Sequence, residues 1–271
     1  MEHPAKIIKK LNIAPLKKFG QNFLMNTGAI QNIIEYIKDE KKILEIGPGL
    51  GAISDMLINH HKLILCEKDR ALSKFLVEKY KETSKIEIIS DDFLKVKPEF
   101  WKEKKITGII SNLPFYITSD IIIKIIKEMK FINCALLGMQ KEMAERILKK
   151  KGSSISIFLN ITGDTKKAAF VSRKNFYPEP EVDSIWIYWL RNKTFNDIDN
   201  LELLLRASFW GKRKTMLNNI RNNPYFKKDE NKLKIAKFSE NIINDSNMKN
   251  ILSKRPDILE KEDFLNFLQF F

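Results

Sequence analysis

The chain has 271 residues, enough to bury a sizeable core as one large domain or as two unequal ones. Its 44% hydrophobic and 10% aromatic content excludes a disordered protein, and we find neither a secretory leader nor an apolar run of membrane length. The formal net charge of +14 favours an acidic partner, most commonly nucleic acid, although compositional drift in a chain rich in Lys, Ile and Asn also explains it.

The cysteines and histidines argue against a metal centre. Cys66 and Cys134 are the only cysteines, and each lies in an apolar run typical of a strand, which predicts buried free thiols in a reducing, cytoplasmic compartment. No Cys/His cluster has the spacing of metal ligands, and the neighbours His60 and His61 point apart on either a helix or a strand. We therefore expect no metal.

Residues 1–24 form a basic arm, with five lysines against the single acid Glu2. The arm ends in the run 19–24, where two amides interleave with two phenylalanines. It is either a solvated tail and turn, or a lid whose amides bind a polar ligand while its lysines contact phosphate. Residues 27–38 follow with isoleucines at helical spacing, which predicts an amphipathic helix.

The apolar run 43–46 ends in three alternating glycines, Gly47, Gly49 and Gly51, and a helical pattern follows. This order predicts a strand, a tight turn and a helix start. Glycine permits positive φ and close approach of a ligand, and a helix N-terminus offers unpaired N–H groups. The turn therefore suits the polar end of a nucleotide-like cofactor. Gly47, Gly49 and Ala52 also satisfy the dinucleotide-binding pattern, and a turn without a ligand is a third option.

Two further predicted strands end in acidic residues. Glu67 follows the run 63–66, twenty residues after Gly47, where a carboxylate accepts hydrogen bonds from ribose hydroxyls. Asp92 follows the run 86–89, where it can accept from an adenine amino group or merely cap a helix. Both acids are expected at the edge of an open α/β sheet where ligands bind.

A fourth strand is predicted over 106–110, with Asn112 at its carboxyl end. Pro114 fixes its own φ and biases Leu113 toward an extended conformation, which predicts a carbonyl free of the strand ladder. An amide oxygen, a backbone carbonyl and the ring of Phe115 then stand together and fit the exocyclic amine of a planar base. The alternative is an ordinary strand-to-helix turn.

The rest of the chain continues the alternation of strands and helices and then changes character. The predicted pieces are helix 119–130, strand 132–138, helix 140–149, an ambiguous segment 153–163, and strands 168–172 and 184–190. We predict an α/β domain with a largely parallel sheet over residues 1–198 and a small all-helical domain over residues 199–271.

The predicted helical domain carries a second basic cluster. Lys212, Arg213 and Lys214 follow one another beside Trp210, which predicts a surface that faces RNA. A solvated helix start explains the same charges equally well.

Together these stretches resemble the ribosomal RNA adenine N6,N6-dimethyltransferases of the KsgA family. The resemblance rests on the order and spacing of motifs between about residues 17 and 223. The motifs are residues 18–24, 45–51, 67–69, Asp92, 112–115, Phe176 with Pro178, Pro180 and 182–184, and 212–215 with Asn218 and Asn219. The resemblance implies a class I methyltransferase with a Rossmann-like sheet and a small all-helical C-terminal domain.

Residue roles follow from the same match. S-adenosylmethionine would be bound by Asn22, Leu24, Gly47, Glu67, Asp92 and Asn112. The target adenine would be received by Asn112, Leu113, Pro114 and Phe115, and RNA or base contacts would come from Phe176, Lys212, Arg213 and Lys214. We expect the Asn112 side-chain oxygen and the carbonyl of Leu113 or Pro114 to accept the two amino hydrogens.

The implied activity is N6,N6-dimethylation of two adjacent adenines in the 3′-terminal hairpin loop of 16S ribosomal RNA, with S-adenosylhomocysteine as the product. The implied partner is the immature 30S particle, and we expect a cytoplasmic monomer that does not bind a membrane. Two positions depart from the family pattern. Phe115 stands where Tyr is usual, so a hydroxyl is lost, and Glu181 stands where Lys is common, so a phosphate contact is lost.

Other functions remain open at this point. The nearest is a large-subunit rRNA adenine methyltransferase of the macrolide-resistance type, although the segment 212–219 and the length of the C-terminal part favour the small-subunit enzyme. DNA adenine methyltransferases usually carry proline at the position of Leu113. A non-catalytic RNA-binding or ribosome assembly factor and a nicotinamide dehydrogenase are more distant alternatives.

Overall fold

Strands and helices alternate as far as residue 191, and the described residues beyond it contain only helices and turns. The computed structural model describes residues 2–11, 21–114, 116–192, 194–211, 213–223, 229–245 and 248–271, with the backbone alone over 229–232. The strands are β1 (Phe23–Leu24), β2 (Lys42–Ile46), β3 (Lys62–Cys66), β4 (Ile86–Ile89), β5 (Gly108–Asn112), β6 (Cys134–Gln140), β7 (Gly163–Val171), β8 (Phe176–Tyr177) and β9 (Ser184–Arg191). The helices are α1 (Pro4–Leu11), α2 (Thr27–Ile34), α3 (Ala52–Leu57), α4 (Arg70–Lys79), α5 (Pro98–Glu103), α6 (Thr118–Glu128), α7 (Lys141–Leu148), α8 (Ser154–Thr162), α9 (Ile198–Phe209), α10 (Met216–Arg221), α11 (Asp229–Ile243), α12 (Lys249–Leu252) and α13 (Lys261–Leu268).

Within the described residues, seven strands form one sheet in the order β4-β3-β2-β5-β6-β9-β7. The first five run parallel, and β9 runs antiparallel to β6, which confirms the predicted, largely parallel α/β sheet. The chain leaves β2 for β3 and β4 on one side and returns to β5 on the other, so the strand order reverses between β2 and β5. Open α/β sheets bind ligands beyond the carboxyl ends of their strands at such a reversal.

The apolar runs predicted as the first three strands of the sheet fall within β2, β3 and β4. The fourth strand differs from its predicted range of 106–110, because it spans Gly108–Asn112. Asn112 still pairs with Gly138 of β6, so the ladder continues two residues further than the apolar run. Asn112 is therefore the last residue of its strand.

The segment 153–163, which the sequence left ambiguous, contains helix α8. Ser153 begins the helix as its N-cap, because its Oγ accepts a hydrogen bond from the N–H of Ser156 at 3.3 Å. The cap satisfies one of the N–H groups that a helix start leaves without an intrahelical partner.

The predicted amphipathic helix is confirmed by α2 and the 3-10 turn Glu35–Ile37 that extends it. Ile30, Ile33 and Ile37 are almost completely buried in the same apolar cluster as Ile43 of β2. Burying an isoleucine side chain contributes about 1.5–3 kcal/mol, so this stripe is a main attachment of the helix to the sheet.

The chain divides into two compact units. They are Met1–Ala144 with Lys166–Arg191, and Glu145–Thr165 with Asn192–Phe271. The second unit has aromatic pairs of its own, since Phe209 stacks on Phe264 at 5.8 Å and Phe238 on Phe271 at 4.4 Å between ring centroids. The boundary between the predicted domains stays a prediction. No helix among the described residues is long and apolar enough to cross a membrane.

Arg191 at the end of β9 closes the C-terminal end of helix α6. Its guanidinium donates hydrogen bonds to the carbonyls of Ile132 (2.7 Å), Ile125 (3.1 Å), Ile126 (3.2 Å) and Met129 (3.2 Å). The last carbonyls of a helix have no intrahelical donor, and a buried carbonyl without a partner is costly. One side chain therefore satisfies four acceptors around the end of α6. Burial lowers the pKa of Arg191 to about 10.

We expect Arg191→Ala to lower the free energy of unfolding by about 2–4 kcal/mol, because all four carbonyls lose the guanidinium donor, although that of Met129 keeps a backbone bond from the N–H of Ile132. Urea unfolding monitored by circular dichroism measures the change. Arg191→Lys should lose less, since the ammonium still donates, and Arg70→Ala at an exposed position serves as the control. An unchanged unfolding midpoint for Arg191→Ala would show that water replaces the guanidinium without loss.

Candidate active site

A cavity lies at the carboxyl ends of the central strands, where the strand order reverses. All six residues predicted to bind the cofactor line it, and so does Pro114. The six are Asn22, Leu24, Gly47, Glu67, Asp92 and Asn112. The structure thus brings these residues together, while their individual roles stay predictions.

The glycine turn after β2 forms one wall of the cavity. Gly47, Gly49 and Gly51 have φ angles of 66°, 59° and 80°, a region that side chains disfavour. A Cβ at Gly49 would also lie 2.9 Å from the ring of Phe23, so both conformation and space require glycine there. The predicted strand, turn and helix start are confirmed.

A polar network fixes the shape of this turn. The Lys79 ammonium donates to the carbonyl of Leu50 at 2.9 Å and to Asp55 at 2.7 Å. The Tyr80 hydroxyl lies 2.7 Å from an Asp55 carboxylate oxygen and 3.1 Å from the carbonyl of Gly51, so its one hydrogen is shared between these two acceptors. Two carbonyls of the turn are therefore bound by the side chains of Lys79, the last residue of α4, and of Tyr80, the residue after it.

Glu67 directly follows β3 and is 7% exposed. Its two oxygens accept hydrogen bonds from backbone N–H groups, Oε2 from Gly49 at 3.1 Å and Oε1 from Asp69 at 2.9 Å. Burial raises the pKa of Glu67, and these two N–H groups act in the opposite direction. A carboxylate oxygen accepts more than one hydrogen bond, so the oriented group keeps capacity for hydroxyl donors.

Asp92 lies in the loop after β4 and is held on both of its oxygens. Oδ1 accepts from the N–H of Leu94 at 3.0 Å, and Oδ2 pairs with the Lys68 ammonium at 2.8 Å. Burial is the largest single influence and opposes ionisation of this carboxyl, but the bonds from Lys68 and the Leu94 N–H and the nearby lysine charges together outweigh it and lower the pKa of Asp92. Buried Lys124 of α6 anchors the loop by donating to the carbonyls of Leu94 (3.0 Å) and Val96 (2.8 Å).

Asn112 lies beside the glycine turn, as the predicted arrangement requires. Its neighbour Ser111 pairs with Ile46, the residue before Gly47, in the β2–β5 ladder. The Asn112 side-chain nitrogen donates to the carbonyl of Asn22 at 3.4 Å. This bond engages the donor end of the amide and leaves its oxygen as the acceptor end.

The backbone after Asn112 separates the two carbonyls that the sequence left as alternatives. The Pro114 carbonyl accepts from the N–H of Ile117 at 3.2 Å and from the Thr118 hydroxyl at 3.0 Å, so both of its lone pairs are engaged. Leu113 donates its N–H to the carbonyl of Gly138 at 2.8 Å. The Leu113 carbonyl is therefore the better candidate acceptor.

Three predicted contacts need separate mention. Phe115 and Lys212 lie outside the described residues. Phe176 is only 3% exposed and pairs with Leu24 in the two-stranded sheet, where both side chains belong to the apolar core. A contact between the Phe176 ring and a base stays a prediction, since the ring is buried here.

The basic cluster of the second unit surrounds a buried asparagine. The Lys214 ammonium lies 4.1 Å from the centre of the Trp210 ring, and Arg213 is exposed. The side-chain nitrogen of Asn219 donates to the carbonyl of Ser208 at 2.5 Å, and the backbone carbonyl of Asn219 accepts from the Trp210 indole at 2.7 Å. These bonds fix the turn that presents Arg213 and Lys214, whose contact with RNA stays a prediction.

Sequence reasoning missed three features of the cavity and its surroundings. Lys68, which follows β3, pairs with Asp92, the acid in the loop after β4. Tyr116 lines the cavity with half of its surface exposed. Helix α1 places Ile8 against Phe23 and Leu50, two residues of the cavity wall. Apolar residues three and four positions apart in α1 were the available signal for this helix.

The fold and the cavity define a class of protein. The sheet has five parallel strands, and the antiparallel strand β9 is inserted between β6 and β7. The cavity is formed by a glycine turn and by an acid that follows the second strand of the sheet. These are the features of class I S-adenosylmethionine-dependent methyltransferases. The predicted fold class is thereby confirmed. A solved dimethyladenosine transferase from Plasmodium falciparum has the same fold, with a TM-score of 0.71 and 26% identity over 91% of this chain and 96% of its own.

The family follows from the sequence comparisons. The family model described as ribosomal RNA adenine dimethylase matches residues 14–260, and the chain belongs to this family, as expected from its motifs. The ribosomal RNA small subunit methyltransferase A of Malacoplasma penetrans is 40% identical over 82% of this chain and 83% of its own length. The protein of that name from Borrelia garinii is 35% identical over 96% and 90%.

A structure titled 23S rRNA methyltransferase ErmE also superimposes, with a TM-score of 0.65 over 92% of this chain and 99% of its own. Its sequence is 21% identical, so this likeness concerns the fold alone.

One more acid of the cavity has an unusual environment. Glu45 of β2 is 2% exposed, and its Oε2 accepts from the Ser54 hydroxyl at 2.5 Å. Burial raises the pKa of Glu45 to about 7, with the Ser54 hydroxyl acting in the opposite direction. A carboxyl whose pKa is higher in the folded than in the unfolded chain stabilises the fold at low pH, and this contribution is lost as the pH rises through about 7.

We expect Glu45→Gln to stabilise the protein at pH 8.5 by about 3 kcal/mol, because the neutral amide avoids burying a charge, and to change little at pH 5. Urea unfolding at the two pH values measures the difference. Glu103→Gln, at an exposed position, should show no such pH dependence. An equal effect of Glu45→Gln at both pH values would contradict the assigned pKa.

Proposed function

We propose that this chain transfers methyl groups from S-adenosylmethionine to N6 of two adjacent adenines in the 3′-terminal hairpin loop of small-subunit ribosomal RNA, yielding N6,N6-dimethyladenine and S-adenosylhomocysteine. The observation that carries the proposal is the position of Asn112 beside the glycine turn, in one cavity with Glu67 and Pro114. Relatives named ribosomal RNA small subunit methyltransferase A support the choice of substrate.

The residues of the cavity fit the proposed cofactor. The Glu67 carboxylate is oriented by two N–H groups and suits a pair of ribose hydroxyls, and the Asp92 carboxylate suits an adenine amino group. The turn at Gly47 has open space where a side chain would stand, which allows close approach of the cofactor. When bound, the cofactor supplies a methyl group on a positively charged sulfur, so the proposed chemistry uses no metal.

Asn112 and Leu113 would hold the amine that receives the methyl group. The adenine amino nitrogen is a poor nucleophile, because its lone pair is delocalised into the ring. Two acceptors, the Asn112 oxygen and the Leu113 carbonyl, would bind its two hydrogens and direct the lone pair toward the cavity. Positioning of this kind contributes several kcal/mol, roughly, to lowering a barrier.

The target base must leave its stack to reach these acceptors. Loop adenines are extruded more easily than paired ones, which agrees with a hairpin-loop substrate. Phe115 is proposed to stack on the base, and half-exposed Tyr116 offers a second ring at the same cavity. Arg213, Lys214 and the net charge of +14 would attract the RNA backbone.

The proposed partner is the immature 30S particle in the cytoplasm, bound by a monomer. A small, isolated RNA hairpin would present the adenines without the rest of the particle. Comparing methylation of such a hairpin, of purified small subunits and of purified large subunits therefore separates the proposed substrate from the large-subunit alternative.

We expect Asn112→Ala to lower turnover on undermethylated small subunits by about 100-fold or more, because one of the two amine acceptors is lost. Transfer of a radiolabelled methyl group measures this, and Asn59→Ala at an exposed position is the control. Wild-type turnover in Asn112→Ala would refute the assigned role. Methylation of large subunits alone by the wild type would refute the substrate.

We expect Glu67→Gln to weaken cofactor binding by about 10-fold or more while leaving RNA binding nearly unchanged, since the amide replaces an acceptor with a donor. Calorimetric titration with S-adenosylhomocysteine and a filter-binding assay with the RNA hairpin measure the two affinities. Exposed Glu82→Gln should leave both unchanged. Loss of RNA affinity with intact cofactor affinity would count against this assignment.

A further inference from the structure

Gly138 of β6 stands directly between two side chains of the sheet. In the parallel ladder it pairs with Asn112 of β5, and in the antiparallel ladder it pairs with Trp186 of β9. Residues in register on neighbouring strands present their side chains on the same face of the sheet. Asn112 and Trp186 therefore flank, on one face, a position that has no side chain.

The indole of Trp186 occupies the space above this glycine. A Cβ on Gly138 would lie 2.6 Å from Cε2 and 2.8 Å from Cζ2 of Trp186, and 3.0 Å from Oδ1 of Asn112. The φ of Gly138 lies outside the left-handed region, so any residue could adopt its backbone conformation. The glycine is therefore required by the space that the indole and the amide fill, and not by the backbone.

The position of the indole is itself fixed by packing. Trp186 has no exposed surface and belongs to an apolar core cluster. Its Nε1 has no hydrogen-bond partner among the described residues, so steric contacts and not a polar bond hold the ring. The other end of the Asn112 amide is held by the bond from its nitrogen to the carbonyl of Asn22.

We infer that Gly138 and Trp186 are positioning residues for Asn112, with the indole forming the wall that sets the direction of the Asn112 oxygen. The inference rests on the proposed function, in which this oxygen accepts a hydrogen of the target amine. Gly138 also accepts the N–H of Leu113, so one residue supports both proposed acceptors. A displacement of about 1 Å in such a group is enough to lower a rate by about 100-fold.

The test uses two substitutions. One adds a methyl group at Gly138, and the other removes the indole atoms of Trp186 that this methyl group would contact. Gly138→Ala should lower kcat on small subunits by about 10-fold or more, with the Kd for S-adenosylhomocysteine and the KM for small subunits within about twofold of wild type. Trp186→Leu removes both indole atoms nearest the new methyl group. Trp186→Leu alone takes away the wall beside the Asn112 oxygen, so it should also lower kcat at unchanged cofactor affinity. In Gly138→Ala/Trp186→Leu the loss should be smaller than the product of the two single losses, because the leucine leaves space for the new methyl group. Gly28→Ala, where a Cβ would meet only Asn26 at 3.4 Å, is the control substitution.

Each outcome decides the inference. Wild-type kcat in Gly138→Ala or in Trp186→Leu, equal loss of cofactor affinity and kcat, or a double variant whose loss equals the product of the two single losses would each overturn it. If Gly138→Ala does not fold in a thermal melt, Trp186→Phe gives the test, since a smaller ring should lower kcat at unchanged cofactor affinity and a normal kcat would overturn the inference. Failure of the wild type to methylate small subunits would instead overturn the proposed function.

Discussion

The register of β2 against β3 and β5 is the constraint on which the site depends. Ile46 pairs with Cys66 on one side and with Ser111 on the other, so β2 and β3 end at the same level and β5 ends one residue beyond it. Two bonds reinforce this level, from the N–H of Gly47 to the carbonyl of Cys66 at 2.9 Å and from the Ser111 hydroxyl to the carbonyl of Ile46 at 2.7 Å. A slip of one residue in either ladder would turn every side chain of that strand to the other face of the sheet.

The same edge concentrates polar groups that are expensive to bury. Glu45 and Glu67 are both almost fully buried, and burial raises the pKa of each. Backbone N–H groups and the Ser54 hydroxyl offset part of this cost. Perturbed pKa values of this kind cluster at functional sites, so two buried carboxyls beside the glycine turn mark this edge of the sheet as a candidate ligand site.

Local sequence was enough to predict the elements that carry the site. Apolar runs followed by Gly47, Glu67 and Asn112 marked strand ends, and the isoleucines of α2 marked its buried face. Contacts between distant residues left no local pattern. Nothing in the sequence near Gly138 indicates that its missing side chain makes room for Trp186, and the burial of Phe176 depends on its pairing with Leu24. Such pairings are set by topology, which periodicity does not specify.

The two proposed acceptors of the amine differ in conformational freedom. This difference explains why the Trp186 indole matters for the Asn112 oxygen. The Leu113 carbonyl is part of the main chain and lies between two restraints. The N–H of Leu113 donates to the carbonyl of Gly138 at 2.8 Å, and Pro114 follows with a fixed φ. Asn112 is a side chain that can rotate about χ1 and χ2, and its one bond to Asn22 is long at 3.4 Å. A main-chain carbonyl between these restraints has little freedom to turn, whereas the amide needs a packed neighbour to hold its oxygen. The fully buried Trp186 ring meets that need because packed cores permit few alternative rotamers.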